Sequence, residues 1–479
     1  MVKDFLIEHM RKHEEAVIYD EGQRYTYKEF VEKVRSIGSR LNDCGMSDGK
    51  CCVLCQSSLF TALGIFSAWE AGMIPVPMSL QYGTQHCLNI VAEVEPDILI
   101  TDLDELPIAV SCSIFSLKDM CYRTVGSIKA LEPELQEIAV ILNTSGTTGK
   151  PKGVMITGSG LIQNVEAIGE YFKLSSRDTI MIARPLYHCA VFTGEFLLAL
   201  YQGVNIFFYS GEYNPIAVYK QLLLQEITVM CGTPTLLNQM ARIRKKDLKE
   251  CALRVVALSG ECLSGSIAQK IREAFPDVAI YNVYGLTEAS PRVSYLPPEM
   301  FDEVPESVGF PLKGITIRIT DSAGQELPVR AQGRICVHTP SVMRGYYRRE
   351  QATRAKVVDG WLNTGDMGYK DEKGRLYILS REDDMIIKAG MNIYPKEIEN
   401  IVNEIQEIRE CVAYGIREAS RTIIGLKVAL NDGVDWDLKR LSMELSQKLP
   451  LYMLPGKLAI VDRLPRNASG KLIRREAAL

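Results

Sequence analysis

Residues 144–153 read TSGTTGKPKG, which places three glycines, four hydroxyl residues and two lysines in ten positions. Glycine lets a backbone turn its amide groups inward around an anion, hydroxyls add rotatable donors, and lysines bring positive charge. The run therefore reads as a phosphate-handling loop. Ahead of it Ile138-Ala139-Val140-Ile141-Leu142 reads as a buried strand, and helical periodicity begins near Ser159, which predicts a strand, a loop and a helix in that order. It is not the common P-loop. Only three residues separate Gly146 from Lys150, and Pro151 stands where that motif has Ser or Thr.

Working outward, 479 residues exceed what one core usually supports, so at least two domains are expected. Lys and Arg number 55 against 59 Asp and Glu, a formal charge of −4 that argues against a nucleic-acid partner. The opening MVKDFLIEHMRKHEE is charged and amphipathic rather than a signal segment, and a cytoplasmic location is expected. The longest apolar stretch, residues 190–208, is broken by Glu195, Gln202, Gly203 and Asn205, which suits a buried helix and a strand and predicts no membrane span. Thirteen cysteines without a repeated spacing are expected to be reduced core residues. Cys51, Cys52 and Cys55 cluster, but no second pair follows at zinc-site spacing.

A short hairpin is expected over 16–27, then an amphipathic helix to Leu41. Apolar strands at 51–54, 74–76, 98–101, 180–183, 205–208, 228–231, 254–258 and 279–283 alternate with helical patterns, which predicts β-α units and mainly parallel sheets. From Pro311 to Leu379 short alternating strands and turn signals predict an antiparallel subdomain. The fold class is thus α/β: a large N-terminal domain of layered β-α sheets with a β-rich subdomain over 1–380, and a small mobile α+β C-terminal domain over 385–479. The charged run Arg381-Glu382-Asp383-Asp384 is expected to join them as a hinge.

TSGTTGKPKG at 144–153, YGLTE at 284–288, TGD at 364–366, REDD at 381–384 and PRNASGK at 465–471 occur in the order of one family. The chain resembles, from its first hairpin to near its last residue, the adenylate-forming superfamily of acyl-CoA synthetases, luciferases and peptide-synthetase adenylation domains. That resemblance implies attack of a carboxylate on the α-phosphate of ATP, loss of pyrophosphate, and capture of the acyl group by a thiol. Joining two anions needs cations and donors around the phosphates, and admitting a thiol afterwards favours a rearranged site.

By resemblance, Thr144, Ser145, Gly146, Thr147, Thr148, Gly149 and Lys152 grip the β- and γ-phosphates. Tyr284 offers an aromatic face to adenine, Thr287 a donor to the α-phosphate, and Glu288 an oxygen ligand to Mg²⁺. Asn282 is expected to read the adenine amino edge, with Gly260 and Glu261 lining that pocket. Asp366 matches the carboxylate that accepts both ribose hydroxyls, and Arg381 a ribose or phosphate contact. Lys471 matches the lysine that bridges the attacking carboxylate and the α-phosphate. Asp383 corresponds to the hinge, and Gly390 to the loop lining the thiol tunnel. Ser380 and the IIKAG setting of Lys388 depart from the family pattern.

The resemblance places the acyl pocket at His188, Cys189 and Ala190, at Gly232 and Thr233, and at Ala289, with His188 at its mouth. A gap-free local alignment puts Ala190 where α-amino-acid-activating relatives carry an aspartate. A buried ammonium would be unpaired there, which favours a fatty, aryl or other simple carboxylic acid. Arg292 could meet a second acidic group, but reads more readily as a surface arginine. The chain ends eight residues after Lys471 without a carrier domain, so the expected acceptor is coenzyme A, or the phosphopantetheine of a free-standing acyl or peptidyl carrier protein. A stand-alone carrier-loading enzyme and an inactive nucleotide-binding homologue are the alternatives.

Overall fold

In a computed structural model, the described residues are 1–479 apart from 44, 46–47, 125–134, 145–150, 212, 244–250, 389–390, 419–420, 467–471, 473 and 475–479. Six parallel strands lie side by side at the centre, in the spatial order Val17–Tyr19, Asn205–Phe208, Thr179–Ile182, Val229–Gly232, Val255–Leu258 and Ala279–Gly285. Helices cover both faces, so residues of Val229–Gly232 and Val255–Leu258 are buried whichever way they point, which explains their unbroken apolar runs. The antiparallel strands Arg292–Leu296, Ser307–Pro311, Leu376–Arg381, Trp361–Lys370, Gly333–His338 and Thr316–Thr320 continue the same sheet rather than forming a separate one. YGLTE lies where the parallel part gives way to the antiparallel part. A second sheet, built on Lys50–Leu54, Ile74–Met78, Ile98–Thr101 and Ser113–Ser116, is parallel apart from the strand Cys121–Thr124.

One expectation changes. The strand before the glycine-rich loop runs Ile138–Thr144, but Lys152–Thr157 is also a strand and pairs antiparallel with it, Thr144 opposite Lys152. The loop therefore connects a hairpin. The helix Gly158–Tyr171 starts only after Thr157, whose hydroxyl accepts from Gly160 N at 3.1 Å as its cap.

The apolar stretch 190–208 forms a helix and then a strand, as expected, but the helix is irregular. Cys189–Val191 and Leu198–Gln202 are α-helical and Phe192–Leu197 between them is a π-helical turn. Beyond Arg381 the hairpin Ile386–Lys388 and Met391–Ile393, the helices Pro395–Val402 and Leu438–Lys448, and the strands Ile408–Glu418, Arg421–Leu430 and Lys457–Ile460 enclose their own core. Ile386, Ile393, Ile398, Leu426 and Leu441 form its centre. Hydrogen bonds join this unit to the large one: Arg242 donates to Asn431 Oδ1 at 3.0 Å and to the Arg409 carbonyl at 3.2 Å, and Asn400 donates to Glu306 at 3.4 Å. Among the described residues, no helix is long and apolar enough to cross a membrane.

Candidate active site

The turn that carries Thr287 and Glu288 is held shut by its own backbone. Leu286 N donates to the Pro291 carbonyl at 2.9 Å, and Met343 N to the Glu288 carbonyl at 2.8 Å. Gly285 is required there, because a Cβ on it would sit 2.0 Å from the Pro291 carbonyl oxygen. The short strand Gly345–Tyr346 pairs with Val154 and Met155 of the strand leaving the glycine-rich loop. From it the Tyr346 hydroxyl donates to Glu288 Oε1 at 2.7 Å, and the Tyr346 ring lies 5.1 Å from the Lys152 ammonium. Burial, and then the carboxylate beside it, push the Tyr346 hydroxyl far above its usual range, so it stays a donor. Glu288 makes no ion pair among the described residues. A carboxylate that accepts from one tyrosine and makes no ion pair suits Mg²⁺, which binds through one or two carboxylates and substrate phosphates.

Asp366 is the second hub. Its backbone is fixed by Asp366 N donating to Thr364 Oγ1 at 3.1 Å, and Gly365 at φ +77° gives the turn before it. The Tyr284 hydroxyl donates to Asp366 Oδ2 at 2.5 Å and Arg381 to Oδ1 at 2.9 Å. The strand pairing sets Asp366 opposite Arg381, so two motifs fifteen residues apart in sequence converge through register. Burial works against the Arg381 cation, but Asp366, Tyr284 and Glu288 outweigh it and hold the pKa up. Asn282 is buried, with its amide nitrogen donating to the Pro305 and Ser307 carbonyls at 2.9 and 3.0 Å, which leaves its carbonyl oxygen as the acceptor for an amino edge. Gly260 adopts φ +90°, and Glu261 accepts from Thr235 Oγ1 at 2.6 Å. Arg466, five positions before Lys471, lies 3.7 Å from Glu261.

Of the acyl-side residues, His188 and Cys189 begin the irregular helix that contains Ala190, Gly232 ends a central strand with Thr233 after it, and Ala289 is buried in the turn after Glu288; Cys189 lies near enough to feel the charges of Glu288 and Arg292. Burial, and then the Arg184 charge, hold the His188 imidazole neutral with its pKa lowered to about 3. Arg292 corrects the surface reading: it is 4% exposed. It opens the strand Arg292–Leu296, covered on both faces, and Asn164 clamps its backbone through bonds of 2.9 and 3.1 Å.

Ser145, Gly146, Thr147, Thr148, Gly149, Gly390 and Lys471 lie outside the described residues; Thr144 and Lys152, at the two ends of the loop, lie within them. Asp383 lies in the short 3-10 turn Glu382–Asp384. Three features were not read from the sequence. Tyr346 is one of two tyrosines in RGYYRRE, and nothing local marks it. Lys356 has its ammonium 3.0 Å from where a Gly365 Cβ would stand, and burial lowers its pKa while Glu288 opposes. Arg184 pairs with Glu195 at 2.6 Å, both buried. That pair had a signal: one charge inside each of two apolar runs, IMIARP and VFTGEFLLAL.

Two carboxylates, Glu288 with Tyr346 and Lys152 and Asp366 with Tyr284 and Arg381, lie where the parallel strands give way to antiparallel ones, an arrangement that suits a nucleotide-dependent enzyme. Residues 7–347 match the model of the AMP-binding enzyme family, and residues 397–471 that of the AMP-binding enzyme C-terminal domain. The chain belongs to this adenylate-forming family, and it is a ligase of the acid–thiol class. It is 28% identical over 479 residues to a feruloyl-CoA synthase of an Amycolatopsis species, covering 98% of this chain and 96% of the relative. It is 30% identical over 463 residues to a 2-succinylbenzoate–CoA ligase of Bacillus cereus, covering 95% and 93%. The o-succinylbenzoate CoA synthetase of Bacillus subtilis, solved with its acyl-adenylate intermediate, superposes with a TM-score of 0.85 at 25% identity over 99% of this chain and 97% of that one.

Proposed function

We propose that the protein activates a carboxylic acid lacking an α-ammonium group with ATP and transfers the acyl group to coenzyme A. The observation that carries this is a pair of triads, Glu288 with Tyr346 and Lys152 and Asp366 with Tyr284 and Arg381, near enough that the Glu288 charge acts on Arg381. Asp366 takes the ribose hydroxyls, Tyr284 and the Asn282 carbonyl oxygen the adenine, and the loop from Thr144 to Lys152 the β- and γ-phosphates. Glu288 would hold Mg²⁺, which supplies charge neutralisation at the phosphates. Thr287 and Lys471 stabilise charge as a carboxylate oxygen bonds to the α-phosphorus and the bond to pyrophosphate breaks. In the second step a thiolate sulfur bonds to the acyl carbon and AMP leaves.

Residues 1–380 form the adenylation unit and 385–479 the lid, with Asp383 as the pivot. The Arg466–Glu261 contact supports an orientation in which the segment leading to Lys471 faces the adenine side. Rotation about Asp383 then brings the Gly390 loop to the site for the thiol. Ala190 carries no anion, and the carboxylate of its helix, Glu195, is committed to Arg184, which supports an acid without an α-ammonium. The test is acid-dependent exchange of labelled pyrophosphate into ATP, followed by acyl transfer with coenzyme A and a phosphopantetheinylated carrier protein offered separately. Thioester on coenzyme A is expected; thioester on the carrier alone would reassign the acceptor, and no exchange with any acid would remove the ligase reading.

A further inference from the structure

Arg184, Glu195 and Arg292 bring two cations and one anion into the buried wall of the acyl pocket, at 7%, 1% and 4% exposure. Arg184 Nη2 donates to Glu195 Oε1 at 2.6 Å, Arg184 Nε and Glu195 Oε2 are enclosed without hydrogen-bond partners, and the one carboxylate also feels Arg292, so two buried cations share a single anion and Arg292 is the one without a direct bond to it. Arg292 makes no ion pair among the described residues, and its Nε is enclosed without a hydrogen-bond partner. Its backbone is pinned by Asn164, so the side chain cannot retreat by moving the strand.

The direction of that side chain is fixed by what it touches. A Cβ on Gly194 would lie 2.6 Å from Arg292 Nη2, so the guanidinium rests against the backbone of the π-helical turn Phe192–Leu197. π-Helical turns recur at functional sites, where the extra residue per turn opens a helix face. At the end of the strand Val229–Gly232, burial first and then Glu195 push the Cys231 thiol up while Arg292 and Arg184 oppose, which places these charges near that strand end. The irregular helix and this strand are the elements from which the proposed acyl pocket draws Cys189, Ala190 and Gly232, and Arg292 follows Glu288 by four positions.

A guanidinium stays protonated at any pH the protein meets, so this charge cannot escape burial by neutralising. An isolated buried charge is strongly unfavourable unless an anion joins it. We infer that Arg292 is the anchor for a second anionic group on the substrate, so that the acid activated here is a dicarboxylic acid or one bearing an equivalent second anion. One carboxylate faces the α-phosphate and the other forms a forked pair with Arg292, which suits the planar donor geometry of arginine. This rests on the acyl pocket of the proposed function but reads a different group of it.

The test pairs acids of one skeleton with and without a second carboxylate, aromatic and aliphatic. Calorimetric binding is measured without ATP, and pyrophosphate exchange with it. The diacid of at least one pair is expected to win by at least about 10-fold. Arg292→Met should abolish or reverse that preference while leaving the melting temperature unchanged or higher, because removing an uncompensated buried charge does not destabilise. Arg292→Lys should keep part of the preference. Preference for the monoacid throughout, equal loss of both members in Arg292→Met, or a lower melting temperature with unchanged selectivity would each overturn the assignment. Diacid-selective binding without exchange would remove the ligase reading and leave this one standing.

Discussion

The Tyr346 hydroxyl donates to Glu288 at 2.7 Å while its ring lies 5.1 Å from the Lys152 ammonium. One side chain thus links the Glu288 carboxylate, the proposed Mg²⁺ ligand, to the Lys152 ammonium. It can do so because Tyr346 pairs with Val154, two residues beyond Lys152, which holds the tyrosine beside the start of that strand.

Tyr346→Phe keeps the ring over Lys152 and removes only the donor to Glu288. A hydrogen bond to a charged group contributes about 1.5–3 kcal/mol, so pyrophosphate exchange is expected to fall ~10- to 100-fold. The loss should appear at low Mg²⁺ and shrink as Mg²⁺ is raised. A loss that ignores the Mg²⁺ concentration would place Tyr346 elsewhere in the reaction.

Gly285→Ala introduces a Cβ 2.0 Å from the Pro291 carbonyl oxygen, which backbone cannot relieve without opening the turn that carries Glu288. Overpacking of this kind costs about 1–3 kcal/mol or more. Lower thermal stability together with a higher KM for MgATP is expected; a variant with wild-type values for both would show that the turn adapts.

Lys471→Ala should depress adenylation by roughly 3–4 kcal/mol of transition-state stabilisation and spare thiolation of supplied acyl-adenylate. Single-turnover assays of the two half-reactions separate these effects. Equal loss in both would contradict a role confined to the first step.

The His188 pKa is lowered from 6.5 to about 3 in the folded state, so between these values the unfolded chain binds a proton that the native chain does not. The stability it contributes is complete above about pH 6.5 and declines as pH falls toward 3, by up to about 1.4 kcal/mol per unit. Urea midpoints at pH 7 and pH 5 should therefore differ less in His188→Gln than in the wild type. An unchanged difference would mean that His188 is protonated in the native protein at pH 5.

Chemistry that resides in contiguous motifs was legible in the chain. TSGTTGKPKG, YGLTE and TGD each carry their function in local spacing, and apolar runs such as KCCVL and ILIT announce strands because both faces of a parallel sheet are covered. The strand Lys152–Thr157 was not legible, because its antiparallel partner lies across the loop and pairing leaves only a weak mark on six residues. Likewise Asp366 and Arg381 meet through register, Tyr346 reaches Glu288 from 58 positions away, and Arg292 looked like a surface residue. Its sequence neighbours, Ser-Pro before it and Val-Ser-Tyr after it, do not reveal that other elements close over it.

The sequence by itself determined the family, the positions of most strands and the energy source, since each rests on short runs whose physics is local. Only the tertiary structure decided which side chains share a site and which charges lie unpaired inside it. Burial and partnership depend on what the rest of the chain brings alongside, and at Arg292 that left a cation without an ion pair among the described residues.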